Sequence, residues 1–248
     1  MRREIGWQVR IGAALVVLSA VLYLTHYLIF RDLHHIFIYL LGDVAFVPLE
    51  VLLVTLVMHE LLKVRERKNR MEKLNMIIGV FFSEVGRELL TRLSNADPKL
   101  KEVRSKLAKG HDWSEIDFKE AVDQMMGHRF HVDINLIDLK DLRRFLMGNR
   151  EFLVRLLENP SLMEHETFTD LLWAVFHLDE ELEHRDEMDG LPEPDLKHLA
   201  GDMERAYKLL VHQWLSYMKH LKESYPYLFS LAMRTNPFIE ESSAVISR

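Results

Sequence analysis

The chain has 248 residues, 48% hydrophobic and 28% charged, with a net charge of −6 and no cysteine. The missing cysteines exclude disulfides, thiolate metal sites and thiol nucleophiles. Counted along the chain, residues 1–62 carry 4 basic and 5 acidic side chains, 63–73 carry 6 and 2, and 74–248 carry 22 and 31, giving nets of −1, +4 and −9. The main body therefore offers no basic face to a nucleic acid.

The first element is the apolar run Ile11 to Phe30. Twenty residues at 1.5 Å each reach about 30 Å, the thickness of a bilayer core. The run is longer than a leader's apolar core, and the bulky "HYLIFRD" offers no cleavage site, so it reads as a membrane span. A second run, about 36–62, is long enough to span with tilt. Only "RDLHH" lies between them, which predicts a two-helix transmembrane hairpin over 1–62. Basic residues flank it unevenly: Arg2, Arg3 and Arg10 before, Arg31 between, and Lys63, Arg65, Arg67, Lys68, Arg70 and Lys73 after. That bias predicts a multi-pass protein of the inner (cytoplasmic) membrane with both termini in the cytoplasm. The six residues of 63–73 form a patch suited to anionic lipid.

Within the second run, "YLLGDVAFVPLEVLLV" holds Asp43, Pro48 and Glu50. A carboxylate in hydrocarbon costs about 2.5–3.5 kcal/mol or more, so such groups face protein or water. Seven residues are close to two turns, which puts Asp43 and Glu50 on one helical stripe. Pro48 between them cannot donate a backbone hydrogen bond. A two-helix unit cannot shelter these acids alone. A homo-oligomer would turn each position into a ring of carboxylates, an arrangement that favours cations in a pore. The competing reading is a helix-packing role, with Thr25, His26 or Tyr39 as partners. The hairpin, with acids and a proline early in its second span, resembles the mitochondrial calcium uniporters. Their motif sets a tryptophan before the aspartate and packs the acids and proline together. Here Gly42 precedes Asp43, and Glu50 lies seven residues further on. No residue role carries over from the resemblance.

Residues 63–94 continue as a basic juxtamembrane segment and long helix, with Leu74, Ile78, Phe81, Val85 and Leu89 at helical spacing. A helix over 36–94 would be ~90 Å long. Gly79 and Gly86 on one stripe would either admit another helix or bend this one. "SNADP" is the first break. A cytoplasmic helical domain is expected over 95–237, with an aperiodic tail at 238–248. Its helices are punctuated by Gly110, by Asp112 or Ser114, and by Gly127. Asp138 opens a helix that Gly148 stops, and Asn149 caps the next. Ser161 and Glu164 form a capping box before a helix from Leu162 to about Glu187. A turn at "GLPEP" precedes an antiparallel return helix, Asp195 to Ser224, and a short helix from Pro226. The lone strand candidate is "FHVDINLI". The fold class is all-α.

The segment 161–189 holds ten acidic residues against Arg185 alone. In "WAVFHLDEELEH", His177, Glu181 and His184 share a helix face, and the return helix offers His198 and Asp202 at i and i+4. Glu181-x-x-His184 has the spacing of di-iron bundles, but Asp195-x-x-His198 is only a partial second copy. A divalent cation is the cofactor these residues suit, and a solvated acidic face with surface histidines is the plainer alternative. No glycine-rich phosphate loop, Ser-His-Asp signature or H-E-x-x-H is present, so no enzyme is expected. Two functions fit. The first is a homo-oligomeric cation channel with a regulatory helical domain. The second is a non-conducting membrane-anchored scaffold or sensor that binds a cytoplasmic protein partner or a divalent metal.

Overall fold

The computed structural model describes residues 2–100, 115–160, 162, 165–239 and 244–245. The expected features at Gly110, Asp112, Ser114, Ser161 and Glu164 lie outside these. Among the described residues the chain is all-helical, without strands. It divides into two compact units, residues 1–67 and 68–248.

In the first unit, α1 covers Arg2–Phe30, and α2, which begins here, covers Leu33–Phe81. Both are long and apolar enough to cross a membrane, and their apolar windows bury nothing within the chain. Only Arg31 and Asp32 separate them, fewer residues than expected, and Arg31 adopts the left-handed region (φ 48°) to make the connection. Asp32 Oδ1 accepts from His35 N at 3.1 Å, satisfying a free amide at the start of α2. The rings of His26, His35 and Tyr39 meet in sequence, and Thr25 donates to Val21 O.

The second unit opens with the end of α2. The C-terminal part of α2 buries Leu74, Ile78 and Phe81 and passes into a π-helical turn, Phe82–Gly86, then α3, Arg87–Asn95. The two glycines serve different neighbours. A Cβ on Gly79 would stand 2.7 Å from Tyr217 Oη, whereas one on Gly86 would stand 2.6 Å from Phe81 Cε1. Gly79 thus makes room for a side chain of another helix, and Gly86 for the rings of its own turn.

Next come α4 (Glu115–Gly127), a 3₁₀ turn (Ile134–Leu136), α5 (Leu139–Leu157), α6 (Glu166–Glu183), α7 (Glu193–Ser224) and α8 (Pro226–Arg234). Helix α7 packs against α3, α4, α6 and α8, and α5 packs on α6. Three expectations are corrected. The "FHVDINLI" stretch forms the 3₁₀ turn, because Asp133 caps it through Asn135 N. Gly148 and Asn149 do not interrupt α5. Leu142, Leu146, Leu153 and Leu156 keep one buried stripe across them, which outweighs the ~1 kcal/mol cost of an interior glycine. Helix α6 begins four residues later than expected and ends four residues earlier. His165 Nδ1 accepts from Phe168 N at its start, and His184 is its C-cap. The core between α6 and α7 holds Phe168, Leu171, Val175, Met203, Leu210 and Trp214, all buried. Trp214 and Phe82 meet edge to face with centroids 5.2 Å apart.

Candidate metal centre

Helices α6 and α7 run antiparallel, as their cross-helix contacts show: 177 meets 202, 181 meets 198, and 185 meets 195. One residue fixes that register. Arg185 donates from Nε and Nη2 to the two oxygens of Asp195, at 2.9 and 2.6 Å, and from Nη1 to Glu181 Oε2 at 2.8 Å. This bidentate clasp joins the end of one helix to the start of the next. Gly190 turns the intervening loop with φ 70°. Each helix then presents one i, i+4 pair to the other: His177 and Glu181 from α6, His198 and Asp202 from α7.

His177, Glu181 and Asp202 converge, and His198 stands beside Glu181 and Asp202. Asp202 Oδ2 lies 3.6 Å from His177 Nε2 and 3.4 Å from His198 Nε2. Glu181 Oε1 lies 3.8 Å from His177 Nε2, and Oε2 lies 3.5 Å from His198 Nε2. These separations are long for hydrogen bonds. Donor atoms of His177, Glu181 and Asp202 all lie within 4.8 Å of one another.

Asp202 carries the strongest signal. The residue is only 3% exposed, Arg205 meets Oδ1 at 3.1 Å, and Oδ2 is buried without a hydrogen-bond partner. Buried carboxylate oxygens are nearly always satisfied, so one without a donor, set between two imidazole nitrogens, is suited to a cation. The Arg185 hydrogen bond holds the Glu181 carboxyl below its ordinary range, with His198 adding to the effect, which keeps that ligand ionised. Two imidazoles and two carboxylates suit zinc or another first-row divalent ion better than calcium or magnesium.

Of the five expected ligands, His177, Glu181 and Asp202 assemble, and His198 borders them through Glu181 and Asp202. His184 does not join them: its Nδ1 lies 2.8 Å from Glu180 O, at the end of α6. Asp195 is held by Arg185, so the Glu-x-x-His spacing is not the one used. The opposite face of α6 carries a cluster that sequence reasoning missed. Asp179 is fully buried, its Oδ2 accepts from Arg150, and Oδ1 has no partner. Arg150 also reaches Glu183 at 2.8 Å and lies over the Phe176 ring at 4.9 Å. Burial pushes the Asp179 carboxyl up, against the pull of Arg150. Arg185 and Arg150 were missed as organisers, although Arg185 stands out as the lone basic residue among ten acids.

Asp43, Pro48 and Glu50 lie on α2, and all three are exposed in the single chain. Lys63, Arg65, Arg67, Lys68, Arg70 and Lys73 are exposed on the same helix.

Two family models cover most of the sequence. One, described as the N-terminal helical domain of MJ1433, matches residues 2–62, and one described as "Uncharacterized protein MJ1433, C-terminal helical domain" matches 70–234. The Methanocaldococcus jannaschii protein of that name is 46% identical over 232 residues, spanning 94% of this chain and 93% of its own. No solved structure matches the chain. The chain belongs to the MJ1433 family, with its two helical domains in the same order.

Proposed function

We propose that this protein is a membrane-anchored sensor of divalent transition-metal ions. In this reading α1 and the N-terminal part of α2 hold it in the inner membrane as a hairpin with both termini cytoplasmic. The basic patch of 63–73 contacts anionic lipid. The helical domain binds the ion through His177, Glu181, His198 and Asp202. The observation that supports it most is the partnerless, buried Asp202 Oδ2 between two imidazole nitrogens. A bound ion would tie α6 to α7 and stiffen the helix that packs on most of the domain. The test is zinc content by equilibrium dialysis of the full chain in lipid nanodiscs. The expected result is one zinc per chain, lost in His177→Ala, His198→Ala and kept in His184→Ala. Zinc retained at full stoichiometry by the double variant would overturn the reading.

A second reading rests on a separate observation: Asp43 and Glu50 stand exposed on a helix otherwise apolar at that level. In a homo-oligomer they would line a cation path, and the metal-binding domain would regulate it. Liposomes containing the protein should then pass cations and exclude anions, with Asp43→Asn or Glu50→Gln reducing the flux. Assembled protein that passes no ion at any voltage, pH or metal concentration would remove this reading and leave the sensor.

A further inference from the structure

Helices on the surface of the second unit usually turn charged side chains outward; α5, for example, exposes Arg144, Glu151 and Arg155. One face departs from this. Between 74 and 81, α2 is apolar on opposite sides. Leu74, Ile78 and Phe81 are buried in the core, while Met76 and Val80 are 59% and 50% exposed. Each lies about 160° round the helix from Ile78. Helix α8 repeats the arrangement, with Phe229 and Met233 buried and Leu228 and Leu231 37% and 43% exposed. A helix apolar on both sides is normally covered on both.

The exposed side chains border two adjoining grooves, of about 350 and 520 Å³, which share Gly79, Ser83, Tyr217, Leu221 and Leu228. Met76 and Val80 line the larger groove, and Leu231 lines the smaller. The floor is fixed in shape, because Tyr217 lies over Gly79 and its ring stacks on Phe82 with centroids 5.6 Å apart. Charge is divided in the same way. Glu84 lines the larger groove and Arg87 the smaller. Both are exposed, and neither forms an ion pair among the described residues. One face therefore holds a ridge and a groove, and an unpaired acid and an unpaired base. A surface with both halves of each match fits a copy of itself across a two-fold axis, where every contact occurs twice.

We propose that this face is a contact between two copies of the chain. The Met76–Val80 ridge of each copy lies in the groove of the other, over Gly79 and Tyr217. Glu84 of each copy pairs with Arg87 of the other, which sets the register. The contact lies within residues 68–248 and uses neither the metal centre nor a pore, so it stands if both functional readings fail.

Sedimentation equilibrium of the full chain in density-matched detergent tests the contact. The expected result is a reversible monomer–dimer equilibrium. Met76→Glu, Val80→Glu, which alters only exposed side chains, should weaken it about tenfold or more. Glu84→Arg should weaken it too, and adding Arg87→Glu should restore it, because the exchanged charges again meet as opposites. Since the chain has no cysteine, a single introduced one reports proximity. A short bismaleimide should join Val80→Cys into dimers and leave Asp123→Cys, on the exposed side of α4, unjoined. A chain that stays monomeric at every concentration would overturn the proposal. So would a dimer that Met76→Glu, Val80→Glu or Glu84→Arg leaves at full strength, a loss in Glu84→Arg that Arg87→Glu does not repair, or equal cross-linking at both cysteines.

Discussion

Asp179 and Asp202 stand on neighbouring helices, both almost wholly buried and each with one oxygen lacking a partner. Their surroundings separate them. Around Asp179 the chain supplies its own cation, the Arg150 guanidinium, which also serves Glu183 and packs on Phe176. Around Asp202 it supplies two imidazoles and a second carboxylate, all of them electron-pair donors and none of them a cation. The nearest guanidinium, that of Arg205, reaches only the other oxygen and is itself exposed. A buried acid with a built-in cation is a structural joint. In the function proposed above, a buried acid ringed by further electron-pair donors is a place for a cation from outside.

That contrast can be broken at either end. The largest effect is expected at the joint: Arg150→Met leaves Asp179 buried without its cation and should destabilise the domain by about 3 kcal/mol. Chemical denaturation reads this, and the zinc response should persist in the variant. Loss of both together would mean that the clusters are one unit. Next, zinc at a hundred times its dissociation constant should stabilise the wild type by about 2.7 kcal/mol and raise its melting temperature. Asp202→Asn should abolish that rise, and Asp179→Asn should not.

Protonation sharpens the contrast further. Burial holds the folded-state value of Asp179 above its ordinary 3.8, so its contribution is whole below that value and is lost as pH rises through the raised one. The stability advantage of wild type over Asp179→Asn should therefore shrink as pH climbs from about 4 toward neutrality. A gap that widens instead would contradict the account. Glu181 and Asp195 carry the opposite sign, since the Arg185 hydrogen bonds lower both. Their contribution is present above the ordinary carboxylate value and lost as pH falls through the lowered one. Arg185→Met should flatten this acid-side loss, an effect under about 1 kcal/mol because the groups are partly exposed. An unaltered acid limb in urea titrations would show that Arg185 acts through position alone.

Much of the helical order is legible in the sequence because its signals are local. Asp138 caps α5, Gly127 ends α4, and Pro226 opens α8, each where turn chemistry dictates. Gly148 misled for a physical reason: a single glycine is a weak breaker when leucines on both sides share one buried stripe. His177, Glu181, His198 and Asp202 are legible as i, i+4 pairs on two helices joined by a short loop. The exclusion of His184 is not, because the choice between a fifth ligand and a helix cap depends on the Glu180 carbonyl in the last turn of α6, which His184 meets with both its backbone N–H and its ring. The burial of Asp202 is equally hidden, since it depends on how α6 and α7 meet.

The central proposal is that a metal ion draws His177, Glu181, Asp202 and the adjoining His198 into one four-coordinate site. Cobalt(II) reports this directly, because four-coordinate Co²⁺ absorbs visible light far more strongly than the six-coordinate ion. Titrated into the metal-free full chain, cobalt should develop that intense band and saturate at one ion per chain. Zinc should displace it, His184→Ala should leave it unchanged, and His177→Ala, His198→Ala should remove it. A weak six-coordinate spectrum, or an intense band that survives loss of both histidines, would contradict the site.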